Sequence, residues 1–453
     1  MISPLHSNNQ PHIPQREAPR KESAPEAPSP GDRYVPSQGE APGSPPAPEE
    51  KEWTVLYYFA GNNAISDDMI KKISRLEAVG SDGNVNVAAQ LGRASNSEVL
   101  PGGNRFFIEK HTDKIPEQEE PRMPWKASST QLLKNMLHSK PVESLGPTDM
   151  SNPDTLADFV AWGMKKYPSK HTLVVVMDHG YGFLGSPDDN EVKHTMTINE
   201  MSLAMRKAQD LTGKKVDIIG FDTCLMAQAE VAYQLRDAAG YLVATEEIEY
   251  PLGWPEAKIV KHMKDDAQAG PLSAEECAQI IVEESSHATD STKTMSALKL
   301  EGADRIAAST NDLADALLKL MAARPEMKIL VRDLVMKTHN YCLVIPNEQL
   351  CQDYRDLYSL AENLASSGGI ASPEVKKAAE SVMNEIKQAV VAEMHAGEEG
   401  GGSHGVSIYI PTKGFIDSYK TETGAEVNPH ERYLASDFAR ATLWDELIEK
   451  LKA

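Results

Sequence analysis

Two apolar runs that stop abruptly on reactive side chains constrain this chain more than any other feature. HTLVVVMDHGYG (171–182) stops at His179, inside Asp178-His179-Gly180. KVDIIGFDTCLMAQAEVAYQL (215–235) stops at Cys224, inside Asp222-Thr223-Cys224, and a helical pattern follows at once. Runs this continuously apolar and β-branched read as strands buried on both faces. Helical patterns lie between the strand patterns, as crossover connections between parallel strands require. In an open parallel sheet, chemistry gathers just beyond the carboxyl ends of the strands. The pattern therefore predicts neighbouring strands that bring His179 and Cys224 to one edge.

The other segments fit around that pair. WTVLYYFA (53–60) and NVNVAAQLG (84–92) read as further buried strands, with FFIEK (106–110) a shorter one. Between the first two, Ser66 is placed to cap a helix whose apolar face carries Met69, Ile70, Ile73 and Leu76. The stretch 111–130 is polar and reads as loop. Residues 150–167 predict a helix with Pro153 early and an apolar stripe through Leu156, Phe159, Val160 and Met164. Asn199 is expected to open a helix to about Asp210, a helix is expected over 225–238, and YLVAT (241–245) reads as a strand.

Beyond Pro255, helical periodicity dominates, over 273–288, 302–322, 326–339, 353–366, 372–396 and 430–452. Two strand-like pieces interrupt it, TMSALKL (294–300) and GVSIYIP (405–411), both expected to return to the same sheet. The expected organisation is a Pro-rich disordered tail (1–50), an α/β core (51–255) and a mainly helical C-terminal region (256–453).

A formal net charge of −21 argues against nucleic acid or an anionic membrane as partner and is compatible with basic substrates. There is no apolar run long enough to span a bilayer. No secretory signal is readable in the N-terminal residues, so a cytoplasmic location is the expectation from the sequence as written. The four cysteines, Cys224, Cys277, Cys342 and Cys351, show no paired spacing, against a disulfide scaffold or zinc site. Cys277 and Cys342 sit in helical and apolar contexts and read as small core residues.

Cys224 is different because a thiol attacks as thiolate. A helix starting directly after it would favour the anion, and His179 could take or pair with the proton. Gly180 allows close backbone approach, and the N–H groups of Gly180 and Cys224 suit a developing oxyanion. Two other function classes stay open at this point. One is a non-catalytic scaffold on the same fold. The other is a metal-dependent hydrolase, for which HExxH or clustered His spacing is lacking.

Several stretches resemble the clostripain-type cysteine peptidases of the caspase-like clan. They are WTVLYYFAGNN (53–63), DMSNPDTLADFVAW (149–162), TLVVVMDHGYG (172–182), DIIGFDTCLMAQAEVAYQL (217–235), ATEEIEYPLGWP (244–255), SALKL (296–300) and HGVSIYIP (404–411), with a Trp-bearing final helix. The resemblance implies a caspase-like α/β/α sandwich with a mostly parallel sheet and protein or peptide substrates. His179 and Cys224 would be the catalytic dyad, and Asp222 the acid of an S1 pocket that takes Arg or Lys. Glu246 and Glu247 would be secondary candidates for that pocket. It also implies self-processing in the loop between the dyad residues, where Lys193 is the basic residue. No cofactor is required by the sequence. Calcium dependence follows from the resemblance, with Asp188, Asp189 and Glu191 as oxygen donors. The expected assembly is a monomer, and export is a further implication.

Overall fold

The computed structural model describes residues 49–111, 130–250, 253–288, 292–341, 353–398 and 400–452. The expectations for the tail, for most of the 111–130 loop and for Cys342 and Cys351 fall outside these residues.

The buried run at the start of the fold is β1 (Lys51–Gly61), followed by α1 (Ser66–Leu76) and β2 (Val85–Arg93). Next come β3 (Gly102–Phe107), α2 (Thr130–Met136), β4 (Glu143–Gly146), α3 (Pro153–Lys166) and β5 (Ser169–Met177). A small hairpin, β6 (Asp188–Asp189) with β7 (His194–Thr195), precedes α4 (Ile198–Thr212) and β8 (Val216–Asp222). Then follow α5 (Ala229–Leu235), β9 (Ala239–Ala244), α6 (Glu256–Ala269) and α7 (Ala274–Ser286).

These strands lie in a nine-stranded sheet in which β2, β1, β5, β8 and β9 are neighbours and run parallel. Antiparallel pairs close its edges: β3 and β4 beyond β2, and β10 (Thr294–Lys299) beyond β9. The pleat divides each strand between two cores. In β1, Trp53, Val55, Tyr57 and Phe59 join the core under α1, α6 and α7. Leu56, Tyr58 and Ala60 join the core under α3, α4 and α5. Burial on both faces is why the sequence shows continuous apolar runs rather than alternation. The result is the expected three-layer α/β/α sandwich.

The C-terminal region continues through α8 (Ala303–Ala323), α9 (Met327–Lys337), β11 (Tyr354–Asp356), α10 (Leu357–Ser366) and α11 (Pro373–Ala389). Here the expectations need correction. The helix read as 372–396 ends at Ala389, and β-branched Val390 and Val391 begin β12 (Val390–His395), which pairs with β10. The strand read at 405–411 does not join the main sheet. As β13 (Ser407–Tyr409) it pairs with β11, and Ser407 N donates to Ala227 O at 2.8 Å. It thus braces the loop that follows Cys224.

A short hairpin, β14 (Tyr419–Lys420) with β15 (Glu426–Val427), precedes the last helices. The single helix read over 430–452 is three: α12 (Pro429–Ala435), α13 (Asp437–Ala441) and α14 (Trp444–Leu451). Ser436 breaks the first two apart by accepting from Ala439 N, as a cap does. Two caps also differ: Ser66 lies inside α1 after Ile65, and Thr197, not Asn199, caps α4 through a reciprocal bond with Glu200. Among the described residues, no helix is long and apolar enough to cross a membrane.

Candidate active site

Strands β5 and β8 are hydrogen-bonded neighbours whose last register pair is Met177 with Asp222. Both chains leave the sheet at that level, so His179 and Cys224 emerge side by side at the carboxyl edge. Gly180 locks the two loops together. A Cβ built on Gly180 would sit 2.2 Å from the Cys224 carbonyl oxygen and 2.7 Å from Thr223 Oγ1. Only glycine fits there without a shift, so backbone of the His loop touches backbone of the Cys loop.

The His loop is held from below. The Asp178 carboxylate accepts from His179 N at 2.6 Å, from Asp188 N at 2.6 Å and from the Asn63 side-chain amide. Burial pushes the Asp178 carboxyl well above its usual range, with Asp188 adding to the effect. The His179 ring is free of such ties: its Nε2 is buried and has no hydrogen-bond partner among the described residues. Burial lowers the His179 pKa, partly opposed by the charges of Glu422 and Asp188. The imidazole is therefore neutral near pH 7 and able to accept a proton.

The thiol is not the anion that a helix directly behind it would produce. α5 begins only at Ala229, with Gln228 as its flanking residue, and Leu225 takes a left-handed conformation with φ 66. The helix dipole acts within its first turn and does not reach Cys224. Instead the segment after β9 lies over the sulfur. Glu249 N donates to Cys224 Sγ at 3.2 Å, and the thiol donates to Glu249 O at 3.6 Å. Leu225 N and Ala227 N donate to Glu247 O and Thr245 O, fastening the same segment. Burial pushes the thiol up to about 12, the Glu249 N–H opposes this, and the charges of Glu249, Glu247 and Glu422 add to it. The resting pair is a neutral thiol beside a neutral imidazole.

Asp222 is the last residue of β8, and its side chain meets α1 and the segment just before α6. Its carboxylate is already occupied. Oδ2 accepts from Lys72 Nζ at 2.6 Å and Oδ1 from Trp254 N at 3.2 Å. Lys72, fully buried, also meets Glu256 at 3.4 Å, and Arg75 Nε meets the same Glu256 at 2.6 Å. This network was missed in the sequence, where Lys72 is simply one lysine in an amphipathic helix. Glu246 and Glu247 are also buried and committed. Glu246 accepts from Tyr341 OH and Gly405 N, and Glu247 from Ile248 N.

Lys193 is exposed in the turn between β6 and β7, with φ 53. Asp188, Asp189 and Glu191 do not assemble a cation site. Asp188 accepts from the hydroxyls of Tyr181, Thr195 and Thr423. Asp189 accepts from Asn62 and from Glu191 N, and Glu191 reaches away to Ser95. Among the described residues, no group of three His, Cys, Asp or Glu is arranged to hold a metal ion. Glu422 was a further omission. It lies at the exposed tip of the β14–β15 hairpin, which docks on the His loop through Glu422 N donating to Tyr181 OH at 3.0 Å.

Comparison with known proteins gives a consistent picture. The model of the clostripain family of peptidases matches residues 134–451. Clostripain of Hathewaya histolytica is 22% identical over 411 residues, covering 79% of this chain and 74% of its own. A secreted C11 cysteine protease from Bacteroides thetaiotaomicron, solved in complex with an irreversible peptide inhibitor, superposes with a TM-score of 0.59 at 17% identity. That superposition covers 87% of this chain and 100% of that one. An inactive zymogen C11 protease from Parabacteroides distasonis gives a TM-score of 0.57 at 18% identity, covering 87% and 99%. These likenesses agree with the caspase-like sandwich expected from the sequence.

Proposed function

Since this chain belongs to the clostripain family and is a cysteine-type peptidase, we propose that it is an endopeptidase cleaving after Arg or Lys with His179 and Cys224 as its dyad. The observation that carries this reading is the contact of Gly180 with the Cys224 backbone, which fixes the two loops against each other.

The geometry supports one order of events. The Cys224 Sγ–H proton passes to the unpartnered His179 Nε2 as sulfur attacks the scissile carbonyl. Gly180 N–H and Cys224 N–H receive the oxyanion. The C–N bond breaks, the amine leaves with the proton from His179, and water then hydrolyses the thioester through the same base. Because the Glu249 backbone N–H and C=O both hold the resting sulfur, attack requires that contact to loosen.

The negative charge of Glu249, Glu247 and Glu422 around Cys224 supports a basic P1 residue, with Asp222, which Lys72 holds at rest, as the acid proposed to read it. Self-processing at Lys193 is supported by its exposure in the loop between the dyad residues. Intact mass after incubation tests these points together. Wild type should show a cut after Lys193 that Cys224→Ala lacks, and only wild type should hydrolyse Arg- or Lys-amide peptides. Hydrolysis by Cys224→Ala equal to wild type would remove the dyad from the account.

A further inference from the structure

Past His179 the carboxyl edge continues over β1 and β2, where it holds a cavity that the chemistry above does not use. The register sets the distance. Phe59 of β1 pairs with Met177 of β5, so Gly61 stands two residues beyond that row, as His179 does, and Gly61 pairs with Arg93 of β2. Arg93 therefore lies two strand spacings from His179, about 10 Å. Gly61, Ser66, Asp67, Arg93 and Asn190 line part of a cavity of about 340 Å³, within the range of small-ligand clefts.

Its walls suit an anion. Arg93 is 8% exposed. Its Nη2 donates to Asp67 Oδ1 at 3.0 Å, while its Nε and Nη1 are buried with no hydrogen-bond partner among the described residues. Buried donors without acceptors are costly, more so on a charged group. Burial lowers the Arg93 pKa, and Asp67 opposes this only in part. The 11-residue helix α1 opens onto the same cavity at Ser66, and Ile65 ahead of it gives no side-chain cap to its positive end. A carboxylate already sits beside the cavity: Glu191, next to Asn190, accepts from Ser95 N at 3.0 Å and from Ser95 Oγ at 2.7 Å.

The reaction decides which part of a substrate comes here. His179 hands its proton to the departing amine, so the residues after the cut leave on the His179 side of Cys224. The strand order β8, β5, β1, β2 makes that the side of Arg93. An extended peptide advances about 3.3 Å per residue, so about 10 Å reaches the second or third residue after the cut. We propose that the Arg93 cavity is a subsite for a carboxylate of the leaving peptide at P2′ or P3′, supplied by an Asp or Glu side chain or by the C-terminus of a short leaving peptide. The inference rests on the His179–Cys224 reading above and is independent of the P1 preference.

The test measures kcat/KM on peptides cut at one mapped bond. Matched pairs carry Glu or Gln at P2′ or P3′, and further pairs end at those positions as free acid or amide. Wild type should favour the carboxylate member of at least one pair by about 10-fold or more. Arg93→Gln should bring that ratio within about 2-fold. Asp67→Asn removes the acid that competes for Arg93 and should raise the ratio, and it decides the matter if Arg93→Gln does not fold by circular dichroism. Each ratio is taken within one variant, so a general loss of activity cancels. A preference confined to the internal pairs identifies acidic side chains as the ligand, and one confined to the terminal pairs identifies short leaving peptides; either supports the subsite. Equal rates within every pair in wild type, an undiminished ratio in Arg93→Gln, or a ratio that fails to rise in Asp67→Asn where that variant stands in, overturns it. Cleavage by Cys224→Ala equal to wild type contradicts the dyad reading instead, and the placement of the subsite with it.

Discussion

Gly180→Ala isolates the contact on which the dyad geometry depends. The added methyl would lie 2.2 Å from the Cys224 carbonyl oxygen, whereas ordinary contact begins at 3.4 Å. The loops must therefore part by about 1.2 Å, and the obstacle is backbone rather than a flexible side-chain end. Displacement of reacting groups by about 1 Å costs on the order of 100-fold in rate. Overpacking at a tight site costs roughly 1–3 kcal/mol of stability. Gly180→Ala should thus lose about 100-fold in kcat/KM on the best peptide amide, while circular dichroism and a denaturant titration show a folded protein. The same substitution on an equally buried glycine away from the edge gives the comparison. Gly220, which packs on Trp254 with a Cβ at 2.6 Å, would cost stability with a smaller loss of rate. If Gly180→Ala keeps kcat/KM within about 3-fold, the contact does not set the alignment and the reasoning from geometry to rate fails.

Two further outcomes follow from the buried charges. Lys72→Met leaves Asp222 without its cation in a fully buried setting, so denaturant unfolding should show a loss of about 3–5 kcal/mol, largely recovered in Lys72→Met/Asp222→Asn; a loss under about 1 kcal/mol would mean that Asp222 finds another partner. Burial raises the Glu230 carboxyl from 4.5 to about 7, so its folded state binds a proton that the unfolded state has released. That stability is complete below pH 4.5 and is lost as pH rises to about 7, a span worth about 3 kcal/mol. Glu230→Gln keeps an acceptor for Tyr409 N and should flatten that part of the stability–pH curve; an unchanged slope would contradict it.

The sequence carried the sheet well because its central strands are buried on both faces. β1, β5 and β8 announce themselves as unbroken β-branched and aromatic runs, and their ends mark His179 and Cys224. What was not legible depends on residues far apart in the chain. The Asp222–Lys72 pair joins β8 to α1, and nothing local distinguishes Lys72 from a solvated lysine. The state of the thiol turned on where α5 starts and on the Glu249 segment folding back over it, both tertiary facts. Helical periodicity also ran past the true ends at Ala389 and Ala435, where β-branched residues or the Ser436 cap stop the helix. Helix α6 was missed because its apolar residues, Ile259, Val260 and Met263, are sparse among charges.

The central claim is that Cys224, beside His179, is the nucleophile. Labelling with a peptidyl electrophile bearing Arg or Lys at P1, followed by intact mass and peptide mapping, addresses it most directly. Wild type should give a single adduct on Cys224, His179→Ala a greatly slowed one, and Cys224→Ala none. An adduct on Cys277, or undiminished labelling of Cys224→Ala, would contradict it.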